Sequence, residues 1–277
     1  MGYDEAMSIE TDRPPPPTPA TAPEFDLSYS IEDFIASDGR DSQYIYRAIE
    51  DTMVELATAV PGGRVLDVAC GTGKVSMRIA ERGCLSVGAE ASMEMIGLGR
   101  WVQPESTAMM VRSIAEDLPF ASDSFDRVIC QGSLDHFVDG HAFMREAARV
   151  IKPGGRVVIA LANFESVSCK LGRTIDRAKW KLGRPRPPWR RYWETPEDHN
   201  VKGDLPYVKS LGGDWLDLER CTGISLLWLL FGWKSVLGRV PAGAADRVLR
   251  ALDRYARKRP GQADMIISVW RRPRAHE

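Results

Sequence analysis

The stretch Val65-Leu66-Asp67-Val68-Ala69-Cys70-Gly71-Thr72-Gly73 decides the fold. An apolar run with strand character breaks into Gly-Thr-Gly, and an amphipathic segment follows from Lys74. A strand-to-helix turn of this kind needs glycine for positive φ and for close approach of backbone N–H groups to a ligand, and Gly71 and Gly73 meet that need. Thr72 adds a hydroxyl between them. The turn is built to hold a nucleotide-like ligand, and the residues around it must say which one.

Outward from the turn, short apolar runs alternate with amphipathic ones. Strands are predicted at 64–69, 85–89, 107–113, 125–131 and 156–162, with helices near 74–82, 92–101 and 141–151, the last ended by Pro153-Gly154-Gly155. This rhythm predicts a parallel sheet covered on both faces, with ligands at the carboxyl ends of the strands. Two further strands are predicted at 215–221 and 264–270, making seven, with an apolar segment at 224–240 and an amphipathic helix at 244–258 between them. Ahead of the core, Ile31, Phe34 and Ile35 and then Tyr44, Ile45, Ala48, Ile49, Met53 and Leu56 recur at helical spacing and predict two helices.

A ribose needs a carboxylate at the end of the second strand, and Glu90 stands there, nineteen residues after Gly71. Dinucleotide sites share that spacing. They also use a third small residue in GxGxxG to bring the helix close to a pyrophosphate, and here that position is Ser76. The dinucleotide fingerprint is therefore incomplete, which weakens a nicotinamide oxidoreductase.

Four segments in order, VLDVACGTG (65–73), VGAEASMEMI (87–96), AEDLPFASDSFDRVIC (115–130) and AARVIKPGGRVVIA (147–160), resemble the class I S-adenosylmethionine-dependent methyltransferases of the small-molecule group. The resemblance covers roughly residues 60 to 162. It implies an α/β, Rossmann-like, doubly wound and mostly parallel seven-stranded sheet with an antiparallel last strand and helices on both faces. It also implies S-adenosylmethionine as cofactor, leaving S-adenosylhomocysteine as product. Ala69 and Gly71-Thr72-Gly73 would hold the methionine part with Asp67 nearby, and Glu90 the ribose. Ala91 and Met95 would flank the adenine, Ala115, Glu116 and Asp117 would run along its other edge, and Gln131, Gly132 and Ser133 would line the floor beneath the sulfonium. The family commonly has an Asp where this chain has Ile114, so Glu116 or a backbone carbonyl would serve the adenine amino group. Met93 is read as an ordinary core residue.

A sulfonium methyl is already activated, so transfer needs alignment, exclusion of water and sometimes a base. His136, just past the fourth strand, and His199, within Tyr192-Trp193-Glu194-Thr195-Pro196-Glu197-Asp198-His199, are the candidate bases, and each has a structural reading beside the catalytic one. Tyr46, Asp135, Tyr192, Trp193 and Trp228 are the candidate acceptor-pocket residues. No metal site is expected, since the four histidines, 136, 141, 199 and 276, form no HxxH-type pair.

The rest bounds the partners. A formal net charge of −1 excludes binding to nucleic acid through bulk basicity, and no RNA-binding module is visible. Five widely spaced cysteines without a CxxC pair read as reduced thiols, mostly core residues, in a cytoplasm. Residues 1–24, with Pro14 to Pro17, read as a disordered tail, and 25–277 as one domain: an N-terminal helical cap at 25–60, a cofactor core at 61–162, a basic and aromatic insertion at 163–214, and a C-terminal part of the sheet at 215–277. Past Ala162 no regular rhythm is read for about fifty residues. Between Lys170 and Arg191 the insertion has nine basic residues against one acid, Asp176, which fits either a solvated helix face or an anion-binding stripe. The expected partner is a small, hydrophobic acceptor methylated on O, N or C. Peripheral membrane contact through the apolar segment is left open, as is a monomer or homodimer. The alternatives are a non-catalytic S-adenosylmethionine-binding protein and an RNA or lipid methyltransferase that uses the insertion.

Overall fold

The computed structural model describes residues 39–186, 191–197, 199–230 and 232–274. The proline-rich tail and the helix read around Ile31 to Ile35 lie outside the described residues, as does Asp198. Helix α1 (Arg40–Ala57) leads into β1 (Arg64–Val68), α2 (Lys74–Ala80), β2 (Leu85–Glu90), α3 (Met93–Val102) and β3 (Met109–Arg112). The chain continues through β4 (Phe125–Gln131), a single 3-10 turn (Leu134–His136), α4 (Gly140–Val150) and β5 (Ile151–Ala162). Then come α5 (Val167–Lys181), α6 (Leu205–Ser210), β6 (Asp217–Ile224), α7 (Trp233–Arg239), α8 (Ala242–Arg257) and β7 (Met265–Arg271).

The seven strands form one sheet in the order β3-β2-β1-β4-β5-β7-β6, and only β7 runs antiparallel to its neighbours. Strand alternation sorts the core onto two faces. Leu66, Val68, Val157, Ile159 and Leu161 face α4 and α6 through Phe143, Met144, Val208 and Leu211. Val65, Val158, Ala160 and Ile267 face α1 and α2 through Ile45, Ile49, Met53, Val75 and Ile79. Strands buried on both sides read as continuous apolar runs, which is why β1 and β5 are so plain in the sequence.

Three readings are corrected. Helix α5 occupies the start of the segment in which no rhythm is apparent. Its buried face is Ser168, Cys169, Gly172 and Asp176, helically spaced but not apolar, so hydrophobic periodicity has nothing to register. Met93 stands exposed in the first turn of α3, and Met95 and Ile96 fill the core there. Strand β5 starts at Ile151, ahead of Pro153-Gly154-Gly155, and the shift of register between Phe125 and Arg127 absorbs the extra residues.

The apolar segment predicted over 224–240 divides into the end of β6, an irregular stretch and α7. Ser225 (φ 62°), Leu227 (φ 68°) and Leu229 (φ 61°) are all left-handed in that stretch. Each such non-glycine residue costs on the order of 1 to 3 kcal/mol unless its surroundings impose it. Asp253 imposes it at one end by accepting the Ser225 N–H at 3.1 Å, and Asp264 at the other by accepting the Trp228 N–H at 2.9 Å.

Candidate active site

The order of strands reverses between β1 and β4, and the loops leaving their carboxyl ends meet there. The Ser133 hydroxyl donates to the Ala69 carbonyl at 3.3 Å, joining the two loops directly. Three residues in the first loop have positive φ: Ala69 (53°), Gly71 (57°) and Gly73 (74°). Gly73 then opens α2 as its N-cap. The turn is braced from behind by Gly99, where a Cβ would fall 2.3 Å from the Thr72 carbonyl oxygen.

That contact yields a test with an unusual sign. Alanine at an exposed helical glycine stabilises by about 1 kcal/mol. Gly99→Ala is instead expected to lower Tm, because overpacking costs about 1 to 3 kcal/mol and here pushes on the turn itself. A raised Tm with unaltered ligand affinity would show that α3 does not press on the turn.

Glu90 ties the second strand to the first. Its Oε2 accepts the Gly71 N–H at 2.8 Å and its Oε1 accepts the Ser92 N–H at 2.9 Å. A carboxylate has about four acceptor positions, so capacity remains on both oxygens. Asp67, on the α1 and α2 side of β1, accepts from Ser76 Oγ at 2.7 Å. Burial pushes its carboxyl up to about 7, the charge of Glu90 adds to the rise, and the Ser76 hydrogen bonds oppose it. Ser76, which fails the dinucleotide pattern, is thus the partner that holds Asp67 in place.

Met95 is buried, with its Cε 3.5 Å from where a Cβ on Gly71 would stand. Ala115 is buried, and Asp117 is exposed with its carbonyl accepting from Ser113 Oγ at 3.0 Å. Glu116 turns one oxygen to the Val138 and Asp139 N–H groups at 2.9 and 3.3 Å, bracing the entry to α4. The Ala91 carbonyl accepts from Arg112 Nε at 3.2 Å. Across the junction, Gln131 Oε1 is buried with no hydrogen-bond partner among the described residues, and Gly132 (φ 70°) has open space where a Cβ would lie.

The two candidate bases, more than sixty residues apart in the chain, come together. His199 Nδ1 lies 3.0 Å from Oδ2 of the buried Asp135. The rings of His199 and His136 pack edge to face with centroids 4.4 Å apart, and Phe164 closes on His199 at 5.8 Å. Asn200 stitches the loops together, its N–H donating to the Asp135 carbonyl at 2.7 Å and its Nδ2 to the His136 carbonyl at 3.0 Å. Asp135, His136 and His199 also offer metal-ligand atoms within 4.8 Å of one another, a grouping that a search for local HxxH spacing cannot find. Phe164 and Asn200 are missed by the sequence because neither belongs to a spaced motif.

The aromatic candidates form two separate pairs. Tyr46 on α1 meets Trp228 edge to face at 5.9 Å, and Trp228 Nε1 donates to Ser42 Oγ at 3.0 Å. Tyr192 and Trp193 pair at 4.7 Å and press on Gly172 of α5, with the Tyr192 hydroxyl donating to the Ser168 carbonyl at 2.9 Å. No helix among the described residues is long and apolar enough to cross a membrane, and the five cysteines are free.

The profile of a family described as a methyltransferase domain matches residues 66–159, the span from β1 to β5. The ubiquinone/menaquinone biosynthesis C-methyltransferase UbiE of Geotalea daltonii is 44% identical over 106 residues, 36% of this chain and 45% of that protein. The demethylmenaquinone methyltransferase of Corynebacterium kroppenstedtii is 37% identical over 184 residues, 66% of this chain and 75% of that protein. The chain thus spans about half the length of the first of these relatives and three quarters of the second. Among solved structures, the YcgJ protein of Bacillus subtilis superposes with a TM-score of 0.52 at 21% identity, covering 82% of this chain and 99% of that one, a likeness of fold. The chain belongs to the class I S-adenosylmethionine-dependent methyltransferases. Its curated relatives act, by their names, in quinone biosynthesis.

Proposed function

We propose that this protein methylates a carbon, oxygen or nitrogen atom of a small hydrophobic acceptor, with a ring carbon of a quinol as the leading case. The names of its relatives support a quinol, and the acid-imidazole group at the end of β4 supports the chemistry. The β1–β4 junction fits S-adenosylmethionine. Gln131 Oε1 is an orphaned buried acceptor suited to the cofactor's ammonium, and the open side of Gly132 leaves room for the chain carrying it. Glu90 has spare acceptor positions for the two ribose hydroxyls. Gly71 to Gly73, with Ala69 and Asp67, would cradle the methionine part, and Ala91, Met95 and the 115–117 segment would border the adenine. Glu116, half committed to the α4 entry, has one oxygen left for the amino group.

When bound, S-adenosylmethionine supplies an electrophilic methyl group and takes the C–S electron pair as it leaves. The protein's part is to align the acceptor, exclude water and take the acceptor's proton. We assign Asp135, whose Oδ2 lies 3.0 Å from His199 Nδ1, the task of orienting the imidazole so that the Nε2 lone pair serves as base and of stabilising the imidazolium that forms, the same division of labour as in an acid-histidine dyad. Tyr46 and Trp228 would wall an apolar body. We place the enzyme in the cytoplasm, meeting its acceptor at the membrane surface, a reading that the free thiols favour.

With S-adenosylmethionine and a reduced demethylmenaquinone-type naphthoquinol, S-adenosylhomocysteine and methylated quinol are expected in equal amounts. His199→Ala is expected to lower kcat roughly 10²-fold or more, and Asp135→Asn somewhat less, with S-adenosylhomocysteine affinity retained in both. Wild-type kcat in His199→Ala would remove the base. Activity lost to a chelator and restored by a divalent ion would instead make Asp135, His136 and His199 metal ligands.

A further inference from the structure

The insertion lines a concavity apart from the residues to which methyl transfer is assigned above. Between α5 and the loop that follows it lies an open cavity of about 420 Å³, lined by Arg173, Arg177, Arg186, Lys202 and the indoles of Trp180 and Trp193. Glu165 pairs with Arg173 at 2.7 Å and with Lys202, and Glu194 pairs with Arg186. Two carboxylates against four cations leave the wall with positive charge in excess. Arg177 is exposed and has no ion-pair partner among the described residues.

A solvated helix face would splay its cations into water. Here three of the four are tied to carboxylates around one hollow. Arg173 also donates to the Phe164 carbonyl at 2.9 Å, and the Arg186 guanidinium lies over the Trp180 ring at 5.5 Å. Trp193 is buried as the floor, with Arg191 packed 5.3 Å from its ring centroid. Three guanidinium groups lining one hollow suit a group with three or more acceptor oxygens, whereas a carboxylate satisfies one fork only. Indole walls beside them accept an apolar or aromatic body.

We propose that this cavity binds the phosphate or diphosphate group of an organic phosphate. A nucleic-acid backbone is a poor match, since it presents phosphates along a ridge and needs an extended positive track rather than a hollow. The cavity lining includes none of Asp135, His136 and His199, so the proposal does not rest on the base assigned above. Its loop, 191–202, nevertheless carries His199 at the other site.

Titration calorimetry of the full chain with inorganic pyrophosphate tests the site. Saturable binding at one site is expected, weakened at least tenfold in Arg177→Glu, a substitution at an exposed position. Unchanged affinity of that variant for S-adenosylhomocysteine serves as the check on folding. Cosedimentation with phosphatidic acid vesicles, reversed by pyrophosphate, would identify a lipid headgroup as the source of the phosphate. Pyrophosphate binding without cosedimentation would identify a soluble phosphorylated ligand. Absence of pyrophosphate binding, equal responses to sulfate and pyrophosphate, or an unaltered affinity in folded Arg177→Glu overturns the proposal.

Discussion

Glu90→Ala is expected to weaken S-adenosylhomocysteine binding roughly 100-fold or more. A hydrogen bond to a charged group contributes about 1.5 to 3 kcal/mol, and two ribose hydroxyls meeting one carboxylate therefore carry enough for that loss. The same side chain holds the Gly71 and Ser92 N–H groups, so its removal also loosens the turn and the first residue of the α3 cap. Glu90→Gln keeps the shape and one acceptor oxygen but turns an amide NH2 toward an N–H donor, and should fall between the two. Calorimetry on the three proteins is the measurement. Equal affinities for wild type and Glu90→Ala would overturn the ribose assignment. A lowered Tm with full affinity would reduce Glu90 to a brace.

The second large effect is on pH. With the Asp67 carboxyl raised to about 7, the folded protein binds a proton that the unfolded chain, near 4, has already released. The Asp67 contribution to stability therefore falls as pH rises from about 4 to about 7, by as much as about 4 kcal/mol for a shift of that size, and is flat above. A cationic ligand group settling beside Asp67 favours the carboxylate, opposes the effect of burial and drives the proton off. Cofactor affinity should then increase with pH up to about 7, by as much as tenfold per unit, with proton release below that pH and none well above it. Asp67→Asn removes the Asp67 share of both slopes and leaves that of the buried Asp264, whose carboxyl is raised to about 6, so the difference between the two proteins isolates Asp67 from other titrations, the ligand's included. Calorimetry in buffers of unequal ionisation heat reads the released proton directly. Matching pH dependences in wild type and Asp67→Asn would sink the idea.

What the sequence displays and what it conceals follow from chain distance. Gly71, Gly73 and Glu90 sit at strand ends fixed by local pattern, and the sheet that carries them is written in continuous apolar runs. The Asp135–His199 pair depends on how a loop sixty residues downstream folds back, and no spacing rule reaches that far. Helix α5 is hidden for a different reason. Its inward positions are small or polar because they receive Tyr192, Trp193 and the Arg191 guanidinium, so a buried face is encoded in Gly172 and Asp176 rather than in leucines. The Ser166 cap, accepting from the Cys169 N–H at 3.3 Å, is the one local sign of that helix start.

The left-handed residues after β6 bear on which substitutions this chain can tolerate. Glycine at 225, 227 and 229 would adopt the observed backbone without a Cβ penalty, yet the chain has Ser, Leu and Leu there. Relief of that penalty is open at each position through a single replacement, and each replacement would delete the side chain along with it. Leu229 is half exposed, so little core packing favours its retention. Ser225 is buried and Leu227 packs against the cluster of Leu226, Ala256 and Ala263, so Leu229 is the position at which glycine would relieve the backbone without emptying packed space. Libraries that vary 225–229 should gain stability from glycine at 229 and lose it from glycine at 227, where packed space would be emptied.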